Sequence, residues 1–142
     1  MPLKQQILEV LKKSGFGSLG TSNENSKPWV RYMGFTVSND LVIQTPTYLN
    51  TRKVKEIKKN PEVHFLCGCT TTDTSTASRY CQIQGIAHIV TDNAEKKKYW
   101  LPHFATYFTK GPEDSNFGII IITPYRIEYI HSTAVDVWEA GK

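Results

Sequence analysis

The chain has 142 residues, 11% aromatic and 21% charged, a balance that is normal for a globular protein and argues against disorder. Its formal net charge of +4 allows an anionic ligand but does not demand nucleic acid, which goes with a denser basic stripe. No apolar run approaches the roughly 20 residues that cross a bilayer, no signal-peptide segment opens the chain, and an odd cysteine count (Cys67, Cys69, Cys81) fits a reducing cytoplasm.

The expectation is therefore one cytoplasmic domain over 1–142. Residues 2–14 are predicted helical: Leu3, Ile7, Val10 and Leu11 share a face, Lys4, Glu9 and Lys12 lie away from it, and Gly15 ends it. A Gly-rich strand over 16–21 and a turn cluster over 23–28 follow. From 29 to 37 the chain alternates, with Trp29, Arg31, Met33, Phe35 and Val37 on one face and Val30, Tyr32, Gly34 and Thr36 on the other. Ser38-Asn39-Asp40 turns the chain into a strand over 41–45, which Gln44-Thr45-Pro46-Thr47 is expected to break.

The next helix, 51–60, carries the most informative pattern. Asn50 or Thr51 is its candidate N-cap, Val54 and Ile57 are its buried residues, and it stops before Pro61. Lys58 and Lys59 suit the negative end of the helix dipole, but Arg52 and Lys53 occupy the first turn, where positive charge is unfavourable. Glu56, four residues after Arg52, could offset this. An anion held by the free N–H groups of the turn and the two basic side chains would also remove the conflict, which makes this helix start a phosphate-site candidate. A solvated basic face on a surface helix is the alternative.

Further strands are expected over 62–69 and 79–91, the latter bent at Gly85, with a Thr- and Ser-rich loop over 70–77 between them that is expected to be mobile or ligand-covering. Asp92 or Asn93 caps a helix over 94–108 that Pro102 kinks or splits, and strands 117–123 and 126–130 are separated by Pro124. The tail from 131 is weakly patterned. About six antiparallel strands with short helices between them give an α+β, mainly β fold: a small closed or half-closed barrel.

Metal ligation finds little support. On a strand Cys67 and Cys69 face one side and His64 the other, so the three do not converge, and both cysteines read as small buried hydrophobes. His88, His103 and His131 stand in no triad spacing, and Trp100, Tyr107 and Trp138 read as core or interface.

Arg31-Tyr32-Met33, then Ile43-Gln44-Thr45, then Thr51-Arg52-Lys53 opening a helix that ends Lys59-Asn60-Pro61, then Tyr80 through Gly85, occur in an order that resembles the FMN-binding split-barrel family. These are the pyridoxamine 5′-phosphate oxidase-like proteins, and the likeness is greatest to their small general-stress-protein branch. The resemblance covers roughly residues 5–130 and implies a six-stranded antiparallel split β-barrel, homodimeric, with two FMN sites at the subunit interface. It implies that Thr51, Arg52 and Lys53 hold the FMN phosphate. Arg31, Tyr32 and Met33 would lie along the ring and ribityl chain, Gln44 and Thr45 would add contacts, and Tyr80 would stand where the oxidases carry a flavin-reaching Gln.

Other positions depart from the oxidases. Thr36 replaces the Lys used for substrate phosphate, only Tyr99 and His103 approach the substrate set of the later helix, and the chain ends at Lys142 without the C-terminal Arg. The expected function is thus an FMN-dependent oxidoreductase acting on a small molecule other than pyridoxamine phosphate, with NAD(P)H as one possible electron source and hydride passing through flavin N5. No catalytic side chain is nominated. The alternatives are a flavin-buffering protein without turnover, a haem-binding relative using a histidine such as His131, and a basic barrel that binds single-stranded nucleic acid.

Overall fold

The structure is a computed structural model, which describes residues 1–69 and 78–142; the loop expected to cover a ligand, 70–77, lies outside the described residues. In chain order the first elements are α1 (Leu3–Ser14), β1 (Phe16–Ser22), β2 (Pro28–Gly34), β3 (Thr36–Val37), β4 (Ile43–Tyr48) and α2 (Arg52–Lys59). They are followed by β5 (Glu62–Cys69), β6 (Arg79–Val90), α3 (Asn93–Tyr99), β7 (Phe117–His131) and β8 (Ala134–Glu139). The described residues are mainly β with three α-helices.

All pairings are antiparallel, in the order β2-β1-β5-β6-β7-β4-β3, with β8 added to β7. The two outermost strands of that order, β2 and β3, are consecutive in the chain and separated only by Phe35. The sheet therefore curls until a single segment carries both of its edges, which is how a small sheet avoids presenting open edges to solvent. The seam is pinned by Thr45 Oγ1, which donates to the Gly34 carbonyl at 2.6 Å, and by Phe35 N–H, which donates to Gly15 O at 3.0 Å. Period-two alternation fills the interior. Met33, Phe35, Ile43, Phe65, Ile83, Ile120 and Ile127 point inward, and α1 closes one end with Ile7, Leu8 and Leu11.

Among the described residues the sheet has eight strands where about six were expected: Phe35 divides the predicted strand 29–37 into β2 and β3, the predicted strands 117–123 and 126–130 are one, and the tail adds β8. The tail is weakly patterned in sequence, yet 134–139 pairs along β7 from Arg126↔Glu139 to His131↔Ala134. Its side chains are mostly exposed, so alternation could not announce it.

Both prolines expected to break strands lie inside them. β4 runs through Pro46, opposite Ile119 of β7, whereas β3 reaches only to Gln44, so Pro46 has a strand on one side and its missing N–H can face the open side. The strand also starts later than expected: Leu41 is buried in a left-handed turn with φ 67°. β7 is continuous for 15 residues across Pro124, because a bulge absorbs it: Gly85 pairs with Pro124 and Gln84 with Arg126, leaving Tyr125 over. The predicted bend at Gly85 has its cause here, since a Cβ at that position would lie 2.7 Å from Ile122 Cγ2. Across the same bulge β7 exchanges its second neighbour, β4, for β8.

Pro102 splits the predicted 94–108 helix in two: α3, capped by Asp92 accepting from Glu95 N–H at 3.1 Å, and a 3-10 segment, Pro102–Thr106. This region builds a second core in which Phe104, Phe108 and Trp100 surround Phe117.

Candidate functional site

α2 forms because Val54 and Ile57 bury one face, while Lys58, Lys59 and the Asn60 cap suit its C-terminal end. Its other end is unfinished. Thr51 occupies the N-cap position with extended backbone, but its hydroxyl donates backwards to Tyr48 O at 2.9 Å, and no side chain caps the first turn. The expected cap by Asn50 or Thr51 is therefore missing, and the turn's N–H groups have no acceptor from a capping side chain. Arg52 and Lys53 stand in that same turn.

Glu56 does not offset Arg52. The residue is 6% exposed and turned into the protein, where its Oε1 accepts from Thr21 Oγ1 at 2.8 Å and lies 3.5 Å from Arg31 Nη2. Arg31 reaches the same point from β2: its Nη1 donates to Thr21 Oγ1 at 2.7 Å and to the Leu19 and Trp29 carbonyls at 3.2 Å each. Arg52 instead lays its guanidinium over the Trp29 ring, 3.7 Å from the centroid, a cation–π contact that leaves its N–H edges available. Sequence reasoning missed Trp29, Thr21 and Glu56 as members of this cluster. The only available signal was that Trp29 and Arg31 share a face of the alternating strand.

Three cations and one carboxylate leave two positive charges here, and no ion pair reaches Arg52 or Lys53 among the described residues. The electrostatics register the excess. Burial lowers the Lys53 ammonium below its ordinary 10.5, and the charge of Arg31 lowers it further. Burial also lowers Arg31, against the pull of Glu56, with Arg52 adding to the fall. Glu56 Oε2 is buried with no hydrogen-bond partner among the described residues. An uncapped helix start with two uncompensated positive charges can take up an anion, and the charge there equals in size that of a phosphate monoester, near −2.

The other nominated residues fall elsewhere. Met33 is in the core, while Thr45 and Gln44 belong to the seam, Gln44 Oε1 accepting from Thr36 Oγ1 at 2.9 Å. Tyr32, 84% exposed, points to the opposite face of β2 from Arg31 and, with Tyr80, lines an open groove of about 1360 Å³ between α1 and the outer sheet. None of Arg31, Arg52 or Lys53 lines that groove.

Among the described residues no group of three His, Cys, Asp or Glu side chains that could hold a metal ion forms. Cys67 and Cys81 sit opposite each other across β5 and β6, both pushed up to about 12 by burial, and are inert thiols at neutral pH. Cys69, expected to be buried, is exposed. His131 Nε2 lies 2.7 Å from Asp136 Oδ2 and its ring stacks on Tyr129, so one of the ring nitrogens that could ligate haem already has a partner. No described helix is long and apolar enough to cross a membrane.

A curled antiparallel half-barrel with a basic, uncapped helix after its β4 strand defines a split-barrel protein of the pyridoxamine 5′-phosphate oxidase type. The chain belongs to the pyridoxamine 5′-phosphate oxidase family, whose sequence profile matches residues 3–131. Within that family it is related to general stress protein 26 of Bacillus subtilis (strain 168), with 35% identity over 130 residues, 92% of this chain and 89% of the relative. The crystal structure of General Stress Protein 26 from Bacillus anthracis str. Sterne superposes with a TM-score of 0.81 at 29% identity, over 98% of this chain and 99% of that one. A Clostridium acetobutylicum protein related to general stress protein 26 matches with a TM-score of 0.81 over 96% of both chains; at 18% identity it speaks for the fold alone.

Proposed function

We propose that the protein is an FMN-binding flavoprotein and an oxidoreductase acting on a small molecule other than pyridoxamine phosphate. The observation that carries this reading is the first turn of α2, where Arg52 and Lys53 adjoin uncapped N–H groups and share two net positive charges with Arg31 and Glu56. Thr51, Arg52 and Lys53 would hold the phosphate, and Arg31, already bonded to three acceptors of β1 and β2, would hold the surrounding wall in place. FMN supplies hydride-transfer chemistry when bound. The chain supplies binding, orientation and positive potential, and no side chain is assigned a proton-transfer role.

Family membership supports FMN as the phosphate-bearing ligand. A homodimer belongs to the same proposal. Phe16 (70% exposed), Val30 (66%), Tyr32 and Leu66 form an outward apolar face on adjacent strands, which a lone chain would leave in water. A second copy covering that face would put Tyr32 and Tyr80 at an interface.

The test is an absorption spectrum of protein incubated with FMN and desalted, beside the double variant Arg52→Ala/Lys53→Ala. Wild type is expected to keep a flavin band near ~450 nm and the variant to lose it, with FMN affinity down by about a hundredfold from two charge-assisted contacts. Flavin retained equally by both would exclude the helix start as the phosphate site.

A further inference from the structure

The buried carboxylate of Glu56 is unusual for its surroundings. It is a single anion beneath three cations, and by charge alone it should oppose the binding of any anion there. Burying it is costly, and one of its oxygens gains no hydrogen bond among the described residues. What the carboxylate does make is a link between three elements: α2, which carries it, Thr21 of β1 and Arg31 of β2.

We propose that Glu56 is a positioning residue of the anion site. It ties the body of α2 to the β1–β2 hairpin through Thr21 and Arg31, and so fixes where the first turn of the helix presents Arg52 and Lys53. Trp29 lies on that same hairpin, two residues before Arg31, and the Arg52 guanidinium rests on it. The helix and its anion-binding side chains are thus held at two points on one strand, by the Glu56–Arg31 contact under the helix and by the Arg52–Trp29 stack at its start. Without Glu56 the first point is lost and Arg31 becomes an unpaired, half-buried cation.

The proposal rests on the FMN reading for its ligand but predicts a result that charge alone reverses. Glu56→Gln keeps an oxygen for Thr21 and removes the negative charge. If Glu56 mattered only as a charge, FMN would bind more tightly to the variant. As a positioning residue, its loss weakens FMN by about tenfold, the scale of one charge-assisted hydrogen bond, while riboflavin, which lacks the phosphate, binds as before. Thr21→Val, which leaves the charge in place, should act in the same direction, and it carries the test where Glu56→Gln does not fold.

A second readout needs no flavin. The ¹⁵N-detected guanidinium signal of Arg31 should be ordered and slowly exchanging in wild type and averaged in Glu56→Gln. Weakened FMN, unchanged riboflavin and a mobile Arg31 support the role. Tighter or unchanged FMN, an equal loss for riboflavin, or an Arg31 signal that stays ordered overturns it. Should wild type bind no FMN, the cofactor reading fails by itself. The positioning role is then decided by the Arg31 signal, and by whether inorganic phosphate shifts the Arg52 and Lys53 amides in wild type but not in Glu56→Gln.

Discussion

Among the described residues two charged side chains are buried, and they are finished to different degrees. Lys96 of α3 is 1% exposed, and its ammonium donates to the Asp114 carbonyl at 2.9 Å and the Phe117 carbonyl at 3.0 Å while facing the Phe117 ring at 5.4 Å. It forms no ion pair among the described residues, yet two of its three donors are bonded and the ring supplies further negative potential. Glu56 has one oxygen bonded, facing Thr21 and Arg31, and the other without a hydrogen-bond partner among the described residues, while Arg52 and Lys53 form no ion pair there. The first arrangement is complete without a partner and staples α3 to the start of β7. The second leaves an acceptor oxygen without a donor among the described residues, a need that an arriving anion does not meet. The satisfied charge holds an element in place, and the unsatisfied one stands beside the proposed anion site.

The comparison breaks most visibly if the second core proves dispensable. Phe117→Ala removes the ring that Trp100, Phe104 and Phe108 pack around, at centroid distances of 5.2, 6.1 and 4.6 Å. It is expected to cost about 3–5 kcal/mol in urea unfolding. Lys96→Met should cost less, about 2 kcal/mol, because the stem volume is kept while two buried carbonyls lose their donor. Both variants, where folded, should bind FMN as wild type does. A Lys96→Met protein of normal stability but poor flavin affinity would mean that the completed staple also serves the site.

Much of this was legible in the residues, and the reasons for success and failure are physical. The strand 62–69 has the bounds expected of it because Val63, Phe65 and Cys67 alternate inward, the pattern by which period two reports burial, although Leu66 stands on the outer face. α2 was placed to within a residue by its Val54–Ile57 spacing and by Pro61. Pro46 and Pro124 misled because a proline breaks a strand only where its N–H would have been needed, and neither the short partner β3 nor the β7 bulge can be read locally. β8 was missed since an exposed hairpin arm is held by backbone bonds that leave no pattern in the side chains. At the site, the odd placement of Arg52 and Lys53 was visible as a conflict with the helix dipole. The partners that shape it, Trp29 and Thr21 on the β1–β2 hairpin and the inward turn of Glu56, are brought to α2 by the closure of the barrel, which no local window contains.

The smallest expected effect is a pH dependence at Lys53, and its sign separates ligand binding from folding. In the folded protein this ammonium loses its proton below the ordinary lysine value of 10.5, first because it is half-buried and then because Arg31 is near. Between that lowered value and 10.5 the unfolded chain holds more protons than the folded one, so this group's contribution to stability rises as pH rises through the window. FMN affinity must move the other way, because the anion needs the charge that is being shed. A fluorescence titration of FMN from neutral pH into this window should show affinity falling severalfold while urea unfolding of the free protein shows no matching loss. Lys53→Arg, which keeps its charge throughout, should flatten the affinity curve. A decline that survives in Lys53→Arg would assign it to the tyrosines or to the flavin ring and would leave Arg52 as the principal phosphate contact.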